Sequence, residues 1–101
     1  MTAPRLYYLA DARREVLQAF DWYFDRSPQA AAAFLHELDH AAALIAEAPD
    51  IWPQYERETR RYVLRKFPFS MIYRTTARGI EVVAVAHQKQ RPGYWHLRPD
   101  A

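Results

Sequence analysis

The residues with the widest chemical reach lie close together in "AVAHQKQRPGYWHLR", from Ala84 to Arg98. His87 can exchange a proton near neutral pH, Lys89 and Arg91 can neutralise a phosphate, and Tyr94 offers a ring for stacking. Such a set has the parts for metal-free RNA cleavage, in which one group takes the 2′-hydroxyl proton and cations stabilise the phosphorane. It also has a plainer account. A lone histidine at a strand end is more often structural, and charge near a chain end keeps a domain soluble. The run holds too many charges for a buried element, so Lys89 to Arg98 is expected to serve function more than fold.

A second cationic group stands in "RRYVLRKF". If Arg60 to Phe67 is a strand, Arg61, Val63 and Arg65 share one face, and Tyr62, Leu64 and Lys66 share the other. Arg61 and Arg65 would then clamp a phosphate or an acidic peptide, or serve only as solvated charges that protect a sheet edge. With Tyr94, Trp95 and Arg98 they complete a candidate binding set of Arg61, Arg65, His87, Lys89, Arg91, Tyr94, Trp95 and Arg98.

Other chemistries find little support. His36 and His40 are spaced for a metal, but a third ligand and an HExxH frame are missing, so they read as a helix-surface pair and no metal is expected. Glycine stands only at 79 and 93, which leaves no phosphate-cradling loop; no cofactor is expected. The lack of cysteine excludes disulfides, thiolate catalysis and cysteine-ligated metals. Trp22, Trp52 and Trp95 read as core or half-buried residues, with a partner groove as the alternative.

The elements that must hold these residues follow from periodicity. Arg5 to Leu9 reads as a short strand. Asp11 then caps a helix to about Asp25, whose Val16, Leu17, Phe20 and Phe24 form its apolar face. Ser27 and Pro28 restart a second helix as N-cap and first helical residue, and Pro49 stops it. The period then becomes strand-like: "TRRYVLRKF", "FSMIYRTT" and "GIEVVAVAH" are divided by Pro68 and Gly79, and the third, apolar on both faces, reads as central. The order β-α-α-β-β-β predicts an α+β domain spanning 1–101, an antiparallel sheet with a helical hairpin on one face and nothing on the other.

Half the residues are hydrophobic, enough for one core, and no span or leader is visible, so a cytoplasmic protein without membrane contact is expected. The net charge of +2 hides a division. Residues 1–50 hold four arginines against eight carboxylates, net −4, whereas residues 51–101 hold ten cations against four, net +6. Twelve of the fourteen cations are arginine, whose fork suits carboxylate and phosphate. A basic half and an uncovered sheet face together predict a protein partner with acidic and apolar residues in a segment that orders on binding.

Two stretches carry a resemblance. The hairpin "L-x-x-FPF-x-x-IY" (Leu64, Phe67 to Phe69, Ile72, Tyr73) and the tail "V-x-A-V-x-H-x-x-x-RP-x-YW" resemble the RelE/ParE superfamily of toxins from bacterial toxin–antitoxin operons, and "ADARREVLQAFDWYFDRSPQAAAAFLHELDHAAALI" resembles that family's helical hairpin. The resemblance implies a toxin held inactive in a hetero-oligomer by a cognate antitoxin, ParD-like or other. ParE-like members poison DNA gyrase by binding; RelE-like members cut messenger RNA on the ribosome. The FPF hairpin and "AHQKQRP" are closer to the ParE-like branch, and the two lysines fall short of the nucleases' cationic cluster. Were the chain a nuclease, His87, Tyr94, Arg65 and Arg91 would be its catalytic residues. An inactive interaction protein of the same fold is a third alternative.

Overall fold

In a computed structural model of the chain, which describes residues 4–98, β1 (Leu6–Tyr8) leads into α1 (Ala10–Arg26) and α2 (Pro28–Glu47), followed by β2 (Arg60–Val63), β3 (Phe69–Thr76) and β4 (Gly79–His87). The fold is α+β, in the expected order. The four strands form one sheet in the order β1-β4-β3-β2. β4 is central, as its two-sided apolar run requires, and Ile80 through Val85 are all buried. The sheet is mixed: β2, β3 and β4 are antiparallel, but β1 runs parallel to β4, pairing Leu6 with Ile80 and Tyr8 with Val82. Alternation of side chains cannot reveal strand direction.

Local chemistry explains the helices. The Ser27 hydroxyl accepts from the Ala30 N–H at 3.2 Å, capping α2. The N-cap of α1, by contrast, is Leu9, not Asp11, and no side chain caps it; Asp11 lies in the first turn and pairs with Arg14 at 2.6 Å. The apolar face of α1 also differs from expectation. The buried residues are Ala12 and Ala19, with Val16 and Tyr23 packed beside them, while Leu17 and Phe24 are half exposed. The sheet accepts a close-packed small-residue face from α1 and takes its bulk from Tyr23 and α2. Tyr23 and Phe34 meet Phe67 and Phe69 with ring centroids between 5.1 and 6.5 Å apart. This cluster gives the Phe-Pro-Phe turn its place in the fold.

β2 ends at Val63, so Arg65 and Lys66 are not strand residues and do not alternate across the sheet. They form the turn into β3, where the Glu37 carboxylate of α2 accepts the backbone N–H groups of both. Before β2, Arg57 and Glu58 take left-handed φ of 57° and 60°, at roughly 1–2 kcal/mol each for residues with a Cβ. Thr59, buried behind them, bonds back to the Glu56 carbonyl through its hydroxyl and N–H.

The face opposite the helices is not bare. Trp95 is 3% exposed and belongs to the core, and Tyr55 lies 6.3 Å from it ring to ring. Ile72 and Ala84, side by side on this face, are buried in consequence. Farther along, Glu81 is 1% exposed and accepts from Arg74 at 2.8 and 2.9 Å and from the Tyr7 hydroxyl at 3.2 Å. This buried carboxylate is tolerated because its charge and lone pairs are matched.

Candidate target-binding surface

The placement of the tail begins at the outer edge of β4. β1 covers that edge only as far as Val82, whose carbonyl accepts from the Leu9 N–H at 3.0 Å before the chain turns into α1. The groups beyond it would be buried without partners. Side chains take them instead: the Arg98 guanidinium donates to the Val83 carbonyl at 3.0 Å, and the Glu15 carboxylate accepts the Val85 N–H at 2.9 Å. The register shift opposite Ile72 and Tyr73 falls at this point, leaving Val83 without a partner in β3. Glu15 and Arg98 also bind each other in fork geometry, both contacts at 2.9 Å, and the Tyr94 hydroxyl donates to the same carboxylate at 2.5 Å. One carboxylate of α1 thus joins a helix, a strand edge and the tail. Glu15 was absent from the candidate residues, since its partners lie 70 to 83 positions away.

This geometry gives three of the candidate residues partners within the fold. Trp95 is core. Arg98, whose side chain is 16% exposed, is held by Glu15, with Asp11 at 3.8 Å. Tyr94 is only partly exposed, and burial together with the Glu15 carboxylate pushes its hydroxyl well above the usual tyrosine range. The tail serves the fold as well as the surface, because its charges are matched by a carboxylate that reading along the chain could not pair with them.

What remains exposed gathers at one pole, where β2 ends, β3 begins and β4 leaves the sheet. Three recesses meet there. The largest, about 570 Å³, lies between α1 and the β3–β4 end; its walls include Trp22, Tyr23, Phe69, His87 and Lys89. A second of about 120 Å³ holds Arg61, Ser70, Ile72 and Arg91 against the tail, and His87 borders both. The third, about 330 Å³, carries Arg65 and Lys66 beside Phe67, and shares Ser70 and Gln88 with the second. So the structure brings Arg61, Arg65, His87, Lys89 and Arg91 around one pole, although Arg61 and Arg65 are not strand neighbours. Arg61 lies over the Tyr55 ring at 4.6 Å.

The proton-transfer candidates also have partners within the fold. The His87 Nδ1 accepts the Lys89 backbone N–H at 3.0 Å, and the ring edge rests against Phe69 at 5.0 Å, which leaves only Nε2 for other partners. His36 and His40 are both exposed on α2. Among the described residues no three His, Cys, Asp or Glu side chains gather as a metal would require, and no helix is long and apolar enough to cross a membrane.

Comparison with known proteins decides the family. Residues 6–92 match the model of the ParE toxin of type II toxin–antitoxin systems. The chain belongs to the ParE toxin family. Two curated relatives, both Toxin ParE2 of Mycobacterium tuberculosis (strains CDC 1551 / Oshkosh and ATCC 25618 / H37Rv), are 29% identical over 79 residues, 77% of this chain and 75% of theirs. A solved structure described as the chromosomal ParDE TA system from P. aeruginosa superimposes with a TM-score of 0.74 at 16% identity, over 84% of this chain and 96% of that one. That likeness is one of fold. The ParE match runs from β1 to Pro92.

Proposed function

We propose that this ParE-family toxin is held silent by a cognate antitoxin and, once released, poisons DNA gyrase in the cytoplasm by binding, without catalysing a reaction. The observation that carries the reading is the state of His87 and Tyr94, the proton-transfer candidates that the sequence places among the cations. The Tyr94 hydroxyl is committed to Glu15 at 2.5 Å and has a raised pKa, and His87 has one free nitrogen. A metal-free ribonuclease relies on positioned proton transfer, typically worth about 10²–10⁴ in rate. A binder needs none. The antitoxin would bring acidic and apolar residues to the cationic pole and the aromatic recess, and the complex should melt at a higher temperature than the toxin alone. Equal melting temperatures would argue against an obligate antitoxin.

The deciding assay adds purified toxin to gyrase with supercoiled plasmid, and separately to ribosomes with a defined message. The expected result is gyrase poisoning that persists in a His87→Ala, Tyr94→Phe double variant, since those changes leave the arginines in place. Message cleavage that vanishes in the double variant, with gyrase unaffected, would overturn the proposal in favour of ribosome-dependent cleavage. Unimpaired growth on expressing the chain alone would instead support an inactive interaction protein.

A further inference from the structure

The cationic pole gathers positive charge with little carboxylate to match it. Five cations line its three recesses: Arg61, Arg65, Lys66, Lys89 and Arg91. Among the described residues none of the five lies within ion-pair distance of a carboxylate, whereas Arg14, Arg74 and Arg98 are all paired. The recesses contain one carboxylate, Glu15, and its charge is met by Arg98. Glu37, beneath the β2–β3 turn, gives its oxygens to backbone N–H groups. The chain's net charge is only +2, yet this pole gathers five uncompensated positive charges. Mutual repulsion among them opposes folding unless a polyanion meets them.

The same surface carries apolar ring area. Trp22, 53% exposed, stands at the mouth of the largest recess, with Tyr23 and Phe69 in its walls. Gln18, Gln88 and Gln90 supply neutral donors and acceptors between the rings and the cations. Concave basic surface interleaved with aromatics and amides is what a nucleic-acid backbone and its base edges require.

We infer that this pole grips the phosphate backbone of duplex DNA, so that the toxin touches the nucleic acid as well as the protein of its target complex. The polyanion is named as DNA because the proposed function puts the toxin on gyrase, whose substrate is DNA; the charge argument stands without that reading. Two features favour phosphate over an acidic peptide. Duplex DNA carries one charge per about 1.7 Å of axis, matching a dense cluster, while an acidic peptide must alternate its carboxylates with the residues that fill an apolar recess. Three of the five cations are arginines, which can bind phosphate oxygens two at a time. The antitoxin would then silence the toxin by occupying sites that phosphates otherwise fill.

The test measures fluorescence anisotropy of a labelled 20-base-pair duplex with the full chain, free of antitoxin, across a salt series. We expect non-specific binding with a Kd of about 10⁻⁴–10⁻⁶ M at physiological salt, weakening as salt rises. The Arg61→Gln, Arg91→Gln and Arg65→Gln, Lys66→Gln pairs should each weaken binding at low salt and reduce the slope of log K against log salt by about 2. Their melting temperatures report folding, and since all four side chains are exposed, both variants should stay folded. Absence of duplex binding at 50 mM salt, a slope unchanged in both folded variants, or binding of polyglutamate or single-stranded RNA in preference to duplex DNA would each overturn the inference. Gyrase activity measured on the same preparations keeps the two readings apart. DNA binding without gyrase inhibition would sink the gyrase reading alone, and gyrase inhibition without DNA binding would sink this one.

Discussion

Glu15 is where the structure concentrates risk at the scale of single residues. Replacing it by alanine leaves the Val85 N–H unpaired and the Arg98 guanidinium, 16% exposed, without its countercharge. Unsatisfied buried donors cost about 1–3 kcal/mol and a stranded buried charge about 3–5 kcal/mol, discounted here because Arg98 keeps some solvent. We expect Glu15→Ala to lose roughly 2–4 kcal/mol in urea unfolding, with Glu15→Gln between it and the parent. The tyrosines give a second prediction at this scale. Burial raises Tyr8 and Tyr73 to about 12, and raises Tyr94 further. The fold therefore holds their protons more tightly than the unfolded chain, whose phenols titrate near 10. Their contribution is intact below pH 10 and is lost as pH climbs from 10 through 12. Chemical denaturation across that range should show stability falling, and a flat profile would contradict the buried placement. The tail anchor was hidden from sequence for a related reason: Arg98 and Tyr94 look like exposed charge and ring until Glu15 is brought beside them.

Among the elements, the β3–β4 hairpin and the start of α2 were legible because their signals are local: alternation, Gly79, and the Ser27-Pro28 pair. α1 was misread for an equally local reason. Its core face is built from Ala12 and Ala19, which contribute little to an apolar pattern, whereas Leu17 and Phe24 weigh heavily in that pattern from the exposed side. A Leu17→Glu, Phe24→Glu variant should therefore melt close to the parent, within the shift expected for about 0.5 kcal/mol apiece. Had the sequence-based face been the buried one, the same variant would not fold. Gly79 tests the opposite edge of legibility. Its φ of 131° suits no side chain, and an added Cβ would sit 2.3 Å from the Arg5 carbonyl, which accepts the Ile80 N–H at 2.7 Å. Gly79→Ala should cost more than about 1 kcal/mol and loosen β1, read as faster amide exchange at Ile80. The parallel β1–β4 pairing was not legible at all, since the contact joins residues 74 positions apart.

At the scale of the whole molecule, everything converges on β4. β3 pairs one side of it, β1 and the side chains of Glu15 and Arg98 complete the other, α1 packs on it, and Trp95 belongs to the same core. A chain cut after Gln88 keeps every helix and strand but loses Trp95, Tyr94 and Arg98. We expect it to retain helical circular dichroism while losing cooperative melting, because removing a buried tryptophan alone costs about 3–5 kcal/mol. A sharp transition near the parent's would show the tail to be dispensable. β4 and the tail are also the last of the described segments to be synthesised. While a ribosome is still making the protein, the emerged helices and the first strands have no central strand to dock on, and the cationic pole has not been assembled from its three segments. Prematurely released fragments would share that condition. On the proposed reading, a nascent chain is expected to stay inert until residue 98 has been added and the latch on α1 can close, so that interrupted translation should leave growth unimpaired, which expression of the chain cut after Gln88 would check.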